Sequence, residues 1–431
     1  MTLARTIRSS VMLLIAVLLC AAVAPAAGAA LLAAAAPETL EFTPKERDTG
    51  AVFARGPAVE DEEWMRAPFG EGLLTTREQW SGDRRRTELL VDYNRVDRLR
   101  LGVSGQMQVA NAMAPRLGGR IEYAFGRERL LYGLQLEQPI APPGRVAVGV
   151  SVVRRTDHLD LHQVDDAENT LALLLGHYDD RDYFEREGIG GYLTWRVPDF
   201  STVSVHLRRD QYRSLPLDPR TRSWFHRSRP WRDNPAIDDG ETRTLSLRLE
   251  HAARPGRHRH AGLYHWLDVE WADHGLGGDF QYVRMLGDVR SVMRLSPATT
   301  LNLRLVAGHT ASGTLPRQKA FVTGGVDGLR AHPFDAFRGD QIALTQAEYS
   351  IGLWRRRHGS LRGGIAAIAF LDAGTAWSDP AHRWNLGDRH IATDGGVGLA
   401  TAEDRLRVYL ARDLQRSDGG IVLTVRFHRP F

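Results

Sequence analysis

Apolar residues occupy every second position through much of this chain, and no other feature restricts its fold as strongly. In the segment ATTLNLRLVA, Leu301, Leu303 and Leu305 share one face, while Asn302 and Arg304 share the other. The same alternation runs through residues 146–152, 203–208 and 244–250. An alternation with a period of two predicts β-strands that bury one face. The sequence therefore predicts an all-β protein.

Two architectures accept such strands: a soluble sandwich with a dry core, and a transmembrane β-barrel whose apolar face meets lipid. Several alternating segments run to about ten residues, which is enough for a tilted strand to cross a bilayer. Their polar faces repeatedly carry arginine, and short connections alternate with long ones, of which residues 213–240 are the longest. These observations favour a transmembrane antiparallel β-barrel, with the soluble sandwich as the alternative.

The number of strands can be counted along the sequence. Alternating segments lie near residues 98–110, 118–126, 129–140, 144–155, 188–198, 200–212, 241–253, 261–274, 279–294, 298–309, 341–354, 362–373, 391–401, 404–414 and 419–429. These are fifteen segments, whereas a bacterial single-chain barrel has an even number of strands. We predict sixteen strands, the missing one being either residues 84–94 or part of 168–177.

The first residues carry the pattern of a secretory signal peptide. Arg5 and Arg8 precede the apolar run VMLLIAVLLCAAVA, and small residues at 27–29 provide a cleavage site. A short positive region, an apolar stretch and small residues at the cleavage site are typical of exported proteins. We expect a signal peptide at 1–29, with cleavage as late as residue 36.

The rest of the chain divides into two parts. Residues 37–83 are charged and lack periodicity, which predicts a short periplasmic tail. Residues 84–431 are expected to form the barrel. Cys20 is the single cysteine and would leave with the signal peptide, so thiol chemistry is not expected in the mature protein.

Composition and motifs argue against several classes of function. The net charge of +4 is spread along the chain, which predicts no nucleic-acid partner. No G-x-S-x-G or H-E-x-x-H motif occurs, so we expect no enzymatic activity, no cofactor and no metal site. The tryptophans and arginines of residues 220–232 are expected to contact lipopolysaccharide phosphates.

Three motifs in the last third of the chain carry a family resemblance. GGVDGLRAHPFDAFRGD (324–340) is followed by ALTQAEYSIGLW (343–354) and AAIAFLDAGTAW (366–377). Together with VDYNRVDRLRLG (91–102), this order resembles the barrel of the bacterial outer-membrane assembly-factor superfamily. Its members include BamA-like and TamA-like surface antigens and two-partner secretion transporters. The tail at 37–83 is too short for the POTRA domains of such proteins, so the resemblance implies a barrel that lacks them.

The resemblance implies that the sixth external loop folds back into the barrel. In that family an arginine at the loop tip pairs with acidic residues on the inner wall. The matching positions here are Arg330 at the tip and Glu348 and Asp372 on the wall. Strand parity agrees, because Glu348 shares a face with Gln346 while Ala347 points the other way.

Other positions around this loop also match the family. Phe370 shares the face of Asp372, and Gly374 follows it in the same wall motif. The family usually has glycine and then an aromatic residue after the arginine, whereas this chain has Ala331 and His332. Sharp turns of the loop are expected at three glycines: Gly324, Gly325 and Gly328.

The C-terminal segment IVLTVRFHRPF is similar to the signal by which the assembly machinery recognises barrel substrates. Val425, Phe427 and the terminal Phe431 would carry that signal. The expected partners are outer-membrane lipid and lipopolysaccharide, the barrel-assembly machinery, and unfolded outer-membrane or secreted client proteins.

The resemblance implies a non-enzymatic factor in the outer membrane of a Gram-negative bacterium that inserts or translocates proteins or lipids. The alternative is a passive channel that favours anions. Its lumen would be lined by Arg208, Arg248, Arg284, Arg304 and Arg426.

Overall fold

The computed structural model describes residues 84–108, 111, 113–141, 145–159, 164, 166–179, 181–196, 202–225, 230–250, 262–296, 298–356, 363–401, 406–416 and 418–426. The expected signal peptide and tail, together with Phe427 and Phe431, lie outside these residues.

Antiparallel strands dominate the described chain. They are β1 (Arg84–Asn94), β2 (Arg98–Gln108), β3 (Arg116–Ala124), β4 (Arg129–Ala141), β5 (Val146–His158), β6 (Tyr183–Arg196), β7 (Thr202–Ser214), β8 (Gly240–Glu250), β9 (Gly262–Ala272), β10 (Tyr282–Arg294), β11 (Thr299–Gly313), β12 (Phe321–Thr323), β13 (Phe337–Gly339), β14 (Gln341–Arg356), β15 (Gly363–Trp377), β16 (Ala392–Thr401), β17 (Arg407–Asp413) and β18 (Val422–Arg426). β12 and β13 form a separate hairpin, and the others form one 16-stranded sheet in chain order. The predicted number of strands is confirmed.

The structure distinguishes the two segments that were predicted as alternatives for the sixteenth strand. Residues 84–94 form β1, whereas Asp166–Gly176 form a helix, α1. Asp166 and Glu168 stand in the first turn of α1, where negative charge is favourable to the helix dipole. The run LALLL that follows lacks polar alternation, and such a run suits a helix as well as a buried strand. No helix of the described residues is long and apolar enough to cross a membrane.

The sheet carries its apolar side chains outside and its polar side chains inside. On β4, Leu134 and Leu136 are 53% and 44% exposed, while Gln135 and Glu137 are buried. On β8, Leu247 is 51% exposed and precedes the buried Arg248. A soluble sandwich buries the opposite face, so that alternative is wrong and the fold is a transmembrane antiparallel β-barrel.

Charges on the inner face are paired with one another. Asp288 accepts from Arg304 on the next strand at 2.8 Å, and Arg248 lies 3.2 Å from Asp268. Other pairs join residues two positions apart on the same strand, because their side chains share a face. They are Arg120–Glu122, Arg155–Asp157, Arg208–Asp210 and Asp288–Arg290.

Connections alternate between the two ends of the sheet, because neighbouring strands are antiparallel. On the end that carries the β1–β2 turn, the sixth connection joins β11 to β14 and contains the β12–β13 hairpin. We call residues 314–340 the sixth connection. It corresponds to the loop that the sequence predicted to fold inward.

Replacing Leu247 by arginine tests whether the outer face of β8 meets lipid. We expect Leu247→Arg to lower the unfolding free energy in lipid vesicles by about 2–4 kcal/mol, since a charge near the bilayer midplane is costly. Denaturant titration followed by tryptophan fluorescence measures this loss, with Leu247→Ala as the control. An arginine variant as stable as the alanine variant would contradict a lipid-facing position.

Candidate functional site

The tip of the sixth connection turns sharply at glycines. Within residues 324–336, Gly324 and Gly325 have φ angles of 133° and 69°, which residues with a side chain rarely adopt. A Cβ atom on Gly324 would lie 2.1 Å from the carbonyl oxygen of Pro333. One on Gly328 would lie 2.8 Å from the backbone nitrogen of Gly324. Each of the three predicted glycines is therefore required by its surroundings.

Arg330 extends from this tip to two carboxylates of the inner wall. Its Nη1 atom lies 3.3 Å from Oε2 of Glu348 on β14, and its Nε atom lies 3.2 Å from Oδ2 of Asp372 on β15. All three side chains are buried, with at most 1% of each exposed. The structure thus brings together the three residues that the resemblance had grouped. We call this set the latch.

Two aromatic rings enclose the guanidinium group of Arg330. Its Cζ atom lies 4.1 Å from the ring centroid of Phe370 and 4.6 Å from that of Tyr409. Cation–π contacts of this kind gain strength when water is excluded. Gly374 lies further along β15, where a Cβ atom would come 2.7 Å from the carbonyl oxygen of Ala343 on β14. Phe370 therefore contacts the arginine directly, whereas Gly374 permits close approach of the two strands.

The carboxylates keep Arg330 charged in a buried place. Burial lowers the pKa of the guanidinium, whereas the Asp372 and Glu348 carboxylates and the Tyr409 hydroxyl group raise it, and together these effects leave the pKa above its ordinary value. A buried charge is tolerated only with such partners, and removing one member of a buried pair typically costs about 3–5 kcal/mol.

Sequence analysis missed two residues that complete the latch. Arg407 donates to Oε1 of Glu348, and the hydroxyl group of Tyr409 donates to Oε2 at 3.0 Å. The network therefore contains two guanidinium groups and two carboxylates. The sequence of β17 could have pointed to these residues, because Arg407, Tyr409 and Asp413 lie on the same face of the segment RVYLARD.

A second set of contacts follows at His332, where this chain departs from the family pattern. The Nδ1 atom of His332 lies 3.0 Å from Oδ1 of Asp394 on β16, and Nε2 lies 3.6 Å from Oδ2 of Asp413 on β17. The backbone N–H of Ala331 donates to Oδ2 of Asp394 at 2.7 Å. Ala331 and His332 therefore attach this part of the loop to β16 and β17 through polar contacts.

His332, Asp394 and Asp413 also form the group that most resembles a metal-ligand set among the described residues. Their ligand atoms lie within 4.8 Å of one another. However, the two ring nitrogens face different carboxylates, so the imidazole bridges them instead of converging with them on one point. We therefore interpret this group as a further attachment of the loop.

Gln346 joins the latch to the backbone of the tip. Its side-chain amide donates to the carbonyl oxygen of Gly328 at 2.8 Å and to Oδ1 of Asp372 at 3.3 Å. Because the latch atoms are almost inaccessible and contact one another, the arrangement is suited to holding the loop in place and poorly suited to reacting with a substrate.

The predicted C-terminal residues lie apart from the latch. Val425 stands on β18 with its side chain 43% exposed, as Leu423 also does with 64%. This fits an outward apolar face of the last strand. Phe427 and Phe431 lie outside the described residues.

Removing the guanidinium group tests the latch. We expect Arg330→Ala to lower the unfolding free energy in lipid vesicles by about 3–5 kcal/mol, because the buried Asp372 carboxylate loses its guanidinium partner and Glu348 loses one of two. Arg330→Lys should recover part of this loss, since lysine keeps the charge but lacks the fork that reaches two carboxylates.

A double-mutant cycle with Asp372→Asn serves as the control. Neutralising the carboxylate should make the loss from Arg330→Ala smaller than in the parent, because the two residues interact directly. Additive losses, or a single loss below about 1 kcal/mol, would contradict the latch.

Comparisons with known proteins agree with this architecture. Residues 83–427 match the model of the Omp85 superfamily domain. BamA from Haemophilus ducreyi lacking POTRA domains 1–3 is similar in structure, with 13% identity and a TM-score of 0.53 over 80% of this chain and 70% of that chain.

Two further solved structures match less well. CdiB from Escherichia coli has 12% identity and a TM-score of 0.47, covering 79% of this chain and 61% of that chain. CdiB from Acinetobacter baumannii has 12% identity and a TM-score of 0.42, covering 80% and 58%. No curated protein sequence matches. Because the family domain spans most of the chain, from residue 83 to residue 427, the protein belongs to the Omp85 superfamily.

Proposed function

We propose that this protein inserts or translocates proteins or lipids at the outer membrane of a Gram-negative bacterium, without enzymatic chemistry. The observation that carries the proposal is the latch, in which a connection of an Omp85 barrel is held on the inner wall by buried charges. A channel needs an unobstructed lumen, whereas a barrel that acts on its surrounding membrane or on a client strand needs a stiff wall.

The latch stiffens one part of the wall. Arg330 and His332 contact residues on β14, β15, β16 and β17, four consecutive strands that lead to the last one. Within the described residues no ladder joins β18 to β1. An unpaired sheet edge can accept an added strand. We infer that the fixed wall presents this seam to clients or thins the lipid beside it.

The alternative of an anion-favouring channel receives little support. Arg304 pairs with Asp288, and Arg248 pairs with Asp268. Arg426 lies 2.7 Å from Asp327, a residue of the sixth connection. Arginines that are already compensated by carboxylates present little net positive field to a passing anion.

The remaining partners follow from the same proposal. We propose that residues 1–29 direct export, that residues 37–83 form a short periplasmic tail, and that the segment from Val425 to Phe431 is recognised by the barrel-assembly machinery. Outer-membrane lipid and lipopolysaccharide would surround the barrel. Unfolded outer-membrane or secreted proteins would be its clients, and no nucleic acid would bind.

Single-channel recording tests the proposed function against the channel. In planar bilayers we expect small, fluctuating currents from the wild type and larger ones from Arg330→Ala, because the loop is no longer held on the wall. A large, steady, anion-selective current that is indifferent to the substitution would support the passive channel instead.

A folding assay tests the activity itself. Vesicles containing the wild type should fold an added, urea-denatured outer-membrane protein faster than empty vesicles, and Arg330→Ala should lose most of that acceleration. Leu247→Ala, which alters only the outer face, serves as the matched control. Equal rates in empty and loaded vesicles would argue against insertion of proteins.

A further inference from the structure

Helix α1 contacts the first strand at its edge. The backbone N–H of Tyr93 donates to Oγ1 of Thr170 at 2.9 Å. The hydroxyl group of Thr170 in turn donates to Oδ1 of Asp92 at 3.0 Å. An amide on a sheet edge ordinarily pairs with a neighbouring strand or with water. Here the side chain of Thr170 on the helix accepts the hydrogen bond instead.

A second side of the helix contacts the last strand, because Glu168 and Thr170 are two positions apart and point in nearly opposite directions. Nε of Arg426 on β18 lies 2.8 Å from Oε1 of Glu168. At the start of the helix, Asp166 lies 3.2 Å from Arg100 on β2. The stretch from Asp166 to Thr170 therefore touches the strands on both sides of the seam between β18 and β1.

The side of the helix that lies between these two contacts resembles the outside of the barrel. Leu171 and Leu175 are four residues apart and so share one face, and they are 36% and 46% exposed. Exposed leucines also mark the outward faces of the strands, for example Leu89 on β1. The helix thus presents apolar side chains outward and polar ones toward the seam, as a wall element does.

The contacts of the helix divide into two groups. Its C-terminal half is attached to the β7–β8 connection, where the backbone N–H of Trp224 donates to the carbonyl oxygen of Leu174 at 2.9 Å. His177 lies 2.9 Å from Ser223 in the same connection. Toward β18 the helix borders a cavity of about 370 Å³, which Val422–Val425 also line. The helix therefore has one set of contacts with the barrel wall and a separate set with the β7–β8 connection.

We propose that α1 is a clasp that closes the seam of the barrel by linking β1 to β18 in place of a ladder. Thr170 holds the β1 edge and Glu168 holds Arg426, so a further strand reaches the edge of β1 only when the helix withdraws. The clasp goes beyond the proposed function and does not depend on it, because it concerns the barrel without a client.

Distance measurements between spin labels test the clasp. Val91→Cys and Leu423→Cys place labels on the outward faces of β1 and β18, in a Cys20→Ala background that contains no other thiol. We expect one narrow distance for this parent. Adding Thr170→Val and Glu168→Gln removes the hydroxyl group and neutralises the carboxylate that pairs with Arg426, with little change of shape. This weakening of both links should add a population longer by about 5 Å, one strand spacing.

Thr170→Ser is the matched control, because it keeps the hydroxyl group and should leave the parent distance unchanged. An unchanged distribution in the Thr170→Val, Glu168→Gln protein would overturn the clasp.

A cross-link provides a second measurement if that protein fails to fold. Asp92→Cys with Thr170→Cys places two thiols where the carboxylate–hydroxyl contact now lies. Oxidation should suppress the current fluctuations of the barrel, and reduction should restore them. Identical currents in the oxidised and reduced protein would contradict the proposal. Since neither measurement uses a client, the clasp and the insertion activity can fail separately.

Discussion

A buried guanidinium group needs negative charge around it, and the arrangement of the sixth connection follows from that requirement. Arg330 reaches the wall only because Glu348 and Asp372 meet it there and because two aromatic rings exclude water from its faces. Without these partners, the guanidinium group would have to be fully hydrated, or it would be buried without a counter-charge at a high cost in free energy. The loop therefore has a discrete position, since a small displacement would break several contacts at once.

Paired charges also fix other parts of the barrel wall. The wall near β14 to β17 is tied to the loop by charges, whereas the first and last strands are joined through a helix. Stiffness and weakness are thus distributed unequally around the barrel.

Alternation predicted fifteen of the sixteen strands and the face that carries the charges, because a period of two is visible within a single strand. The sixteenth was predicted from the even number of strands in such barrels. It could not separate strand from helix at residues 168–177, since a run of leucines fits both. The pairing of Arg330 with Glu348 and Asp372 came from the family resemblance, while parity showed only that both carboxylates face inward. Asp394, the partner of His332, lies 62 positions further along the chain and has no local signature.

The pairs that join residues two positions apart have a consequence for assembly. In Arg208–Asp210 and Asp288–Arg290, each charge finds its counter-charge on its own strand, before any neighbour is in place. Introducing a lone ion into hydrocarbon is costly, whereas a neutral pair is much less so. A hairpin built from such strands can enter the bilayer with its inner face already neutralised. The polar lining of these strands is therefore a smaller obstacle to stepwise insertion, because part of its charge is compensated within each strand.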